Sequence, residues 1–155
     1  MTKKWGGTLL LTVLAGLAAC SSSTNPTSST QLVSVAPVGG ATGIAVNTSI
    51  TMRFTGPMMM SVDSEITLHQ GDATGAVVPC TRSWSVDSMT LTMSPMSPLA
   101  AGTHYTIHLD AGMMDADGQF IDMTTHGMGM GGLCMGGGMM GRRCPDGMAF
   151  GFTTS

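Results

Sequence analysis

The feature that most restricts this chain is a two-residue rhythm of apolar and polar side chains, interrupted at short intervals by glycine, proline and aspartate. Ile50, Met52 and Phe54 alternate with Thr51, Arg53 and Thr55, Ile66 and Leu68 with Thr67 and His69, and Tyr105, Ile107 and Leu109 with His104, Thr106 and His108. Successive side chains of a strand point to opposite faces, so each run predicts a strand with one buried face. Gln31 to Val35, Val77 to Ser85, Met89-Leu91-Met93 and Met148-Phe150-Phe152 add further strands, with a turn over residues 86–88. No stretch shows the 3.6-residue period of an amphipathic helix. Short alternating strands without helices predict an all-β fold, an antiparallel β-sandwich formed by residues 31–155 as one domain. The same alternation assigns Met52, Met89, Met93 and Met148 to the core, where methionine fills irregular gaps.

The first thirty residues follow a different rule. Lys3 and Lys4, an apolar run from Thr8 to Leu17 and the small pair Ala18-Ala19 predict a signal peptide over residues 1–19. The run is too short to span a bilayer with ease. Leu17-Ala18-Ala19-Cys20 resembles the lipobox of bacterial lipoproteins. That resemblance implies a lipidated Cys20 as the new first residue and a membrane anchor, and Ser21 behind it implies the outer membrane. Residues 21–30, with no apolar side chain to bury, predict a disordered tether that reaches roughly 30 Å when extended.

From Ser34 onward a second resemblance appears. Ser34-Val35-Ala36-Pro37-Val38-Gly39-Gly40-Ala41-Thr42-Gly43-Ile44-Ala45-Val46-Asn47-Thr48-Ser49-Ile50-Thr51 is similar to the opening of the bacterial Ig-like domains of the SbsA type. Phe54-Thr55-Gly56-Pro57-Met58, Leu91-Thr92-Met93-Ser94-Pro95, Ser97-Pro98-Leu99-Ala100-Ala101-Gly102-Thr103-His104-Tyr105, Asp115-Ala116-Asp117-Gly118 and Phe150-Gly151-Phe152-Thr153-Thr154 continue it in order. The resemblance implies an Ig-like sandwich, a cell-envelope setting and no shared catalytic residues. It also makes Tyr105 similar to the tyrosine corner of such sandwiches, a structural hydrogen bond.

The departure from that pattern is an insertion over residues 123–147, ahead of the last strand. Met123 to Met148 holds seven methionines, two cysteines and one histidine, diluted mainly by glycine. Thioethers are soft donors suited to Cu(I), and glycine lets backbone close around an ion. The candidate ligands for Cu(I) or Ag(I) are Met128, Met130, Met135, Met139, Met140 and His126. In an Ig-like sandwich the loop after the second strand and the loop before the last lie at one end, so Met59 and Met60, with Met58, Met113 and Met114 nearby, are expected to join them. Cys134 and Cys144 either close a short disulfide or act as thiolate ligands, and the two roles exclude each other for one sulfur. Cys80 then remains as an odd thiol, buried in a strand or partner to one of them.

His104 and His108 lie roughly 13 Å apart along one strand and cannot chelate one ion together. His69 is expected to face solvent on a strand that neighbours theirs, which leaves a surface histidine pair open. Asp115-x-Asp117-Gly118 lacks the later acid of a calcium loop and predicts a β-turn. A net charge of −3 with no basic cluster argues against a nucleic-acid partner. Scattered carboxylates and the absence of nucleophile, zinc-protease or phosphate-loop motifs predict a non-enzymatic protein. The functions in play are a membrane-anchored copper-binding, buffering or handover protein with a metal-handling partner, a surface interaction module whose methionines form an apolar contact patch, and a sacrificial methionine sink for oxidants.

Overall fold

The computed structural model describes residues 29–123, 133–134 and 147–155. The expected signal peptide, the expected lipidation of Cys20 and most of the expected tether lie outside these residues. Among them are nine strands: β1 Leu32–Ala36, β2 Ala41–Ile44, β3 Ile50–Phe54, β4 Ile66–Gln70, β5 Cys80–Trp84, β6 Thr90–Pro95, β7 His104–Leu109, β8 Leu133–Cys134 and β9 Met148–Thr154. They form two sheets, one in the order β1-β3-β6-β5 and the other β2-β9-β7-β4, with β8 beside β9.

The period-two runs become strands because their inward residues meet between the sheets. Ile50, Met52, Phe54, Leu91 and Met93 from one sheet face Ile66, Leu68, Ile107, Leu109, Phe150 and Phe152 from the other, and all are buried. Large apolar side chains removed from water in this way contribute roughly 1.5–3 kcal/mol each before the cost of ordering the chain. Tyr105 stacks on Phe152 at 5.8 Å between ring centroids, and its hydroxyl accepts a 2.9 Å hydrogen bond from the Ala100 amide. That is the structural bond expected of a tyrosine corner.

Three details differ from the alternation. β2 is not evident as a strand, since Ala41-Thr42-Gly43-Ile44 has no period and Gly43 is left-handed with φ +69°. It pairs parallel to β9, so one strand pairing in an otherwise antiparallel sandwich is parallel. Residues Met60–Glu65 form a 3₁₀ turn between β3 and β4. Met89 is not a core residue: β6 begins at Thr90, and Met89 stays half-buried at the rim, where its carbonyl accepts the Phe54 amide at 2.9 Å. Met52, Met93 and Met148 are buried as the alternation requires.

Candidate metal-binding pole

Strand direction gathers several segments at one end of the sandwich. Leu32 pairs with Phe54, Ile66 with Leu109, and Leu109 with Met148, so β1 begins, β3 ends, β4 begins, β7 ends and β9 begins at the same pole. The loops 55–65 and 110–123 and the β5–β6 turn therefore lie together. They are joined by backbone hydrogen bonds: the Met58 amide donates to Ser88 O at 2.9 Å, Met59 to Met114 O at 3.2 Å, Ala116 to Pro57 O at 2.9 Å and Ile121 to Met113 O at 3.1 Å.

These bonds bring Met58, Met59 and Met60 against Met113 and Met114, as the Ig-like topology implies. Burial then sorts the five. Met58 and Met113 are closed into the core, with Met123 beside them. Met59 and Met114 are half-buried, and Met60 is 63% exposed. A thioether can meet an ion only where solvent reaches the sulfur, so of these five Met59, Met60 and Met114 are the accessible donors. Met114 belongs with the candidates although alternation gives no signal for it; its neighbour Met113 takes the core position.

Both ends of the insertion attach at this pole. Met123 is buried there, Asp122 donates its amide to Thr30 O at 2.8 Å, and Gly147 enters β9 with φ +86° directly over Leu109. β8 pairs Leu133 with Ala149 and Cys134 with Met148, which places a piece of the insertion's backbone on the β9 edge. Met128, Met130, Met135, Met139, Met140, His126 and Cys144 lie outside the described residues, and with them the choice between a Cys134–Cys144 disulfide and thiolate ligands.

The charges around the pole are mainly acidic. Asp87, Asp110 and Asp117 are exposed there, with Arg53 as the neighbouring cation. The Asp87 carboxyl is held below the usual carboxylate range, first by the Ser85 hydroxyl at 2.5 Å and then by the Met89 amide at 3.1 Å. A negative field of this kind raises the local concentration of cations. Asp115 is different: it is buried, Oδ1 accepts the Asp117 and Gln119 amides, and Oδ2 accepts the Thr30 hydroxyl at 3.0 Å. It organises the turn through Gly118 and has no oxygen directed at a cation, in keeping with the expected β-turn.

The remaining candidates are elsewhere. His69 is buried, contrary to the expectation of a solvated side chain, because the 71–77 loop folds over it. Its Nδ1 lies 2.9 Å from Gly75 O and its Nε2 2.8 Å from Thr67 Oγ1. A carbonyl only accepts, so Nδ1 carries the proton and Nε2 receives the Thr67 hydroxyl. His69 and His108 do meet, edge to face at 6.2 Å, but the nitrogen lone pair of His69 is already engaged. His104 instead lies 3.3 Å from Thr153 Oγ1. Cys80 is a free, half-buried thiol in β5, opposite Pro95 and so toward the other pole; burial pushes it up, against a smaller lowering by Arg82. Among the described residues no group of three or more His, Cys, Asp or Glu side chains is placed to hold a metal ion.

A sandwich with this strand order and this pole is an Ig-like module. The chain belongs to the bacterial Ig-like domain family, whose model matches residues 26–126. Among solved structures it is similar to PcoC, a methionine-rich copper resistance protein from Escherichia coli, at 14% identity over 82% of this chain and 99% of that one, with a TM-score of 0.52. It is similar to CopC from Methylosinus trichosporium OB3b at 16% identity, 81% and 92% coverage and a TM-score of 0.50. The S-layer protein rSbsC(31-844) is 16% identical over 81% of this chain, with a TM-score of 0.47, and this chain spans 13% of its length. At these identities the likenesses are of fold. A search of curated protein sequences gives no match.

Proposed function

We propose that this is a non-enzymatic cell-envelope lipoprotein, an Ig-like module of the SbsA type whose methionine-rich pole binds Cu(I) or Ag(I) for buffering or handover. The observation that carries the reading is the placement of the accessible Met59, Met60 and Met114 at the pole to which both ends of the methionine-rich insertion attach. Methionine enrichment without a role in binding has no reason to follow loop topology. The donor set suits a soft monovalent ion, because thioethers carry no charge to stabilise a hard divalent one. Met128, Met130, Met135, Met139, Met140 and His126 supply the remaining donors in this reading. A protein of similar fold, PcoC, is named as a methionine-rich copper resistance protein, which is compatible with such a role.

The test is a Cu(I) competition titration against a chromophoric chelator, with native mass spectrometry for stoichiometry. Replacing Met128, Met130, Met135, Met139 and Met140 by leucine is expected to abolish uptake, and Met59→Leu with Met60→Leu and Met114→Leu to weaken it. Leucine keeps the apolar area, so a surface-interaction module would retain its partner through both sets of changes. Unchanged Cu(I) affinity in the five-residue variant removes those residues from the site, and a lack of Cu(I) uptake by the unaltered protein sinks the copper reading.

A further inference from the structure

The chain enters the sandwich at the methionine pole. Thr30 is buried there, with its hydroxyl on Asp115 Oδ2 at 3.0 Å and its carbonyl accepting the Asp122 amide at 2.8 Å. Gln31 donates its side-chain amide to Asp122 at 3.2 Å and its carbonyl accepts the Thr55 amide at 2.9 Å. Gly56 packs so closely that a Cβ on it would stand 2.7 Å from Thr30 Oγ1. Residue 30 is thus locked onto the same loops that carry Met59, Met60 and Met114. The C-terminal residue Ser155 lies at the other pole, bonded to Ile44 and Gly102.

We propose that this locked entry turns the methionine pole toward the lipid surface, so that the domain stands pole-down on the membrane in which Cys20 is anchored. The inference rests on the lipidation of Cys20 put forward above. Nine residue steps separate Cys20 from Ser29, and no chain of that length spans more than about 30 Å. The seven residues of β9 run from the methionine pole to the far one, a length of about 24 Å at the strand rise. For the far pole to reach lipid, the tether would have to run back along the whole sandwich almost fully extended. The near pole meets lipid in every compact tether conformation and is lifted clear only as the tether extends.

The surface chemistry separates the pole from the flanks in the same sense. Outward positions on the sheets are mostly polar, Arg53, Thr81, Ser83 and His104 among them, with Val33 of β1 the exposed large apolar exception, and offer little to lipid. The loop tips at the methionine pole expose Met60, Val86 and Phe120, at 63, 106 and 39%. The far pole has its own exposed tips, Val38, Val77 and Met96, so apolar exposure alone does not choose between the ends. The tether does. The partner that meets the methionines is then the membrane surface itself, a neutral phospholipid face given the exposed Asp87, Asp110 and Asp117.

The experiment uses the acylated full chain in phosphatidylethanolamine and phosphatidylcholine vesicles. A photo-crosslinking benzophenone side chain is placed in turn at Met60, Val86, Ser83, Val38 and Met96, and phospholipid adducts are read by mass. Adducts are expected at positions 60 and 86 and lost at 83, 38 and 96. Equal labelling at 38 and 96, or labelling confined to 83, overturns the pole-down orientation even where the N-terminal mass shows the acyl chains. An N-terminal mass without acyl chains removes the anchor and this inference with it, while leaving the Cu(I) titration to decide the metal reading by itself.

Discussion

Gly147 is the joint through which the insertion re-enters the sheet, and its replacement tests how rigidly that joint is set. It has φ +86°, and a Cβ built on it would stand 1.9 Å from Leu109 O and 2.9 Å from Leu109 C. Leu109 is paired with both Ile66 and Met148, so its carbonyl cannot withdraw without disturbing two ladders. Gly147→Ala therefore carries two costs: about 1–2 kcal/mol for an L-residue in the left-handed region, and about 1–3 kcal/mol for overpacking against fixed backbone. Gly118→Ala isolates the first, because Gly118 has φ +74° with nothing within 4 Å of the added Cβ. Urea unfolding followed by tryptophan fluorescence is the assay. With a slope near 2 kcal/mol per molar urea, Gly147→Ala is expected to lower the midpoint by about 1.5 M, and Gly118→Ala by about 0.5–1 M. Equal losses in the two variants would refute the close approach of Gly147 to Leu109.

Three further outcomes follow from the contacts described. Tyr105→Phe removes the acceptor of the part-buried 2.9 Å bond from the Ala100 amide, and a loss of about 0.5–1.5 kcal/mol is expected in the same unfolding assay. Thr30→Val removes the hydroxyl donor to buried Asp115; stability is expected to fall by about 1–3 kcal/mol, and the Asp122 amide, which donates to Thr30 O, to exchange faster with deuterium. Burial raises the Cys80 thiol, so it contributes stability below the pKa of an unfolded cysteine. That contribution is lost as pH rises through the folded value. Alkylation by iodoacetamide at mildly alkaline pH is accordingly expected to be slower than for a solvated cysteine, and a rate matching the free amino acid contradicts the burial.

The sandwich is legible in the sequence wherever burial is one-sided. In β3, β4, β7 and β9 the inward residues Ile50, Met52, Phe54, Ile66, Leu68, Ile107, Leu109, Phe150 and Phe152 are those the alternation selects. Alternation does not register β2, whose pairing rests on backbone alone, nor the end of a strand, which is why it assigns Met89 to the core although the ladder starts one residue later. It is equally blind to a loop closing over an outer face. Nothing in Thr67-x-His69 announces that the 71–77 loop will cover the imidazole, because that depends on Gly75 approaching within reach of Nδ1. The convergence of Met58–60 with Met113–114 is legible only through the fold, since it requires knowing which loops share a pole. Which of those sulfurs remain accessible depends on packing.

Packing also bears on how the two halves of the proposed site combine. Among the described residues the sandwich claims Met52, Met58, Met93, Met113, Met123 and Met148 for its core. A sulfur in that position stabilises the fold and is closed to an ion. Met59 and Met114 are the opposite case: their backbones are joined at 3.2 Å, and their loops are secured through Asp115 and Asp122 to the first residues of the domain. Donors held in this way lose little freedom when an ion arrives, whereas donors spread over 25 glycine-rich residues of sequence have more backbone freedom to give up, by composition alone. Under the copper reading, the fixed methionines therefore add most to affinity when the insertion has already supplied a ligand. Leucine substitutions in the two groups are then coupled, and the combined variant should lose less than the separate losses would give. Strict additivity would mean that the pole and the insertion bind separate ions.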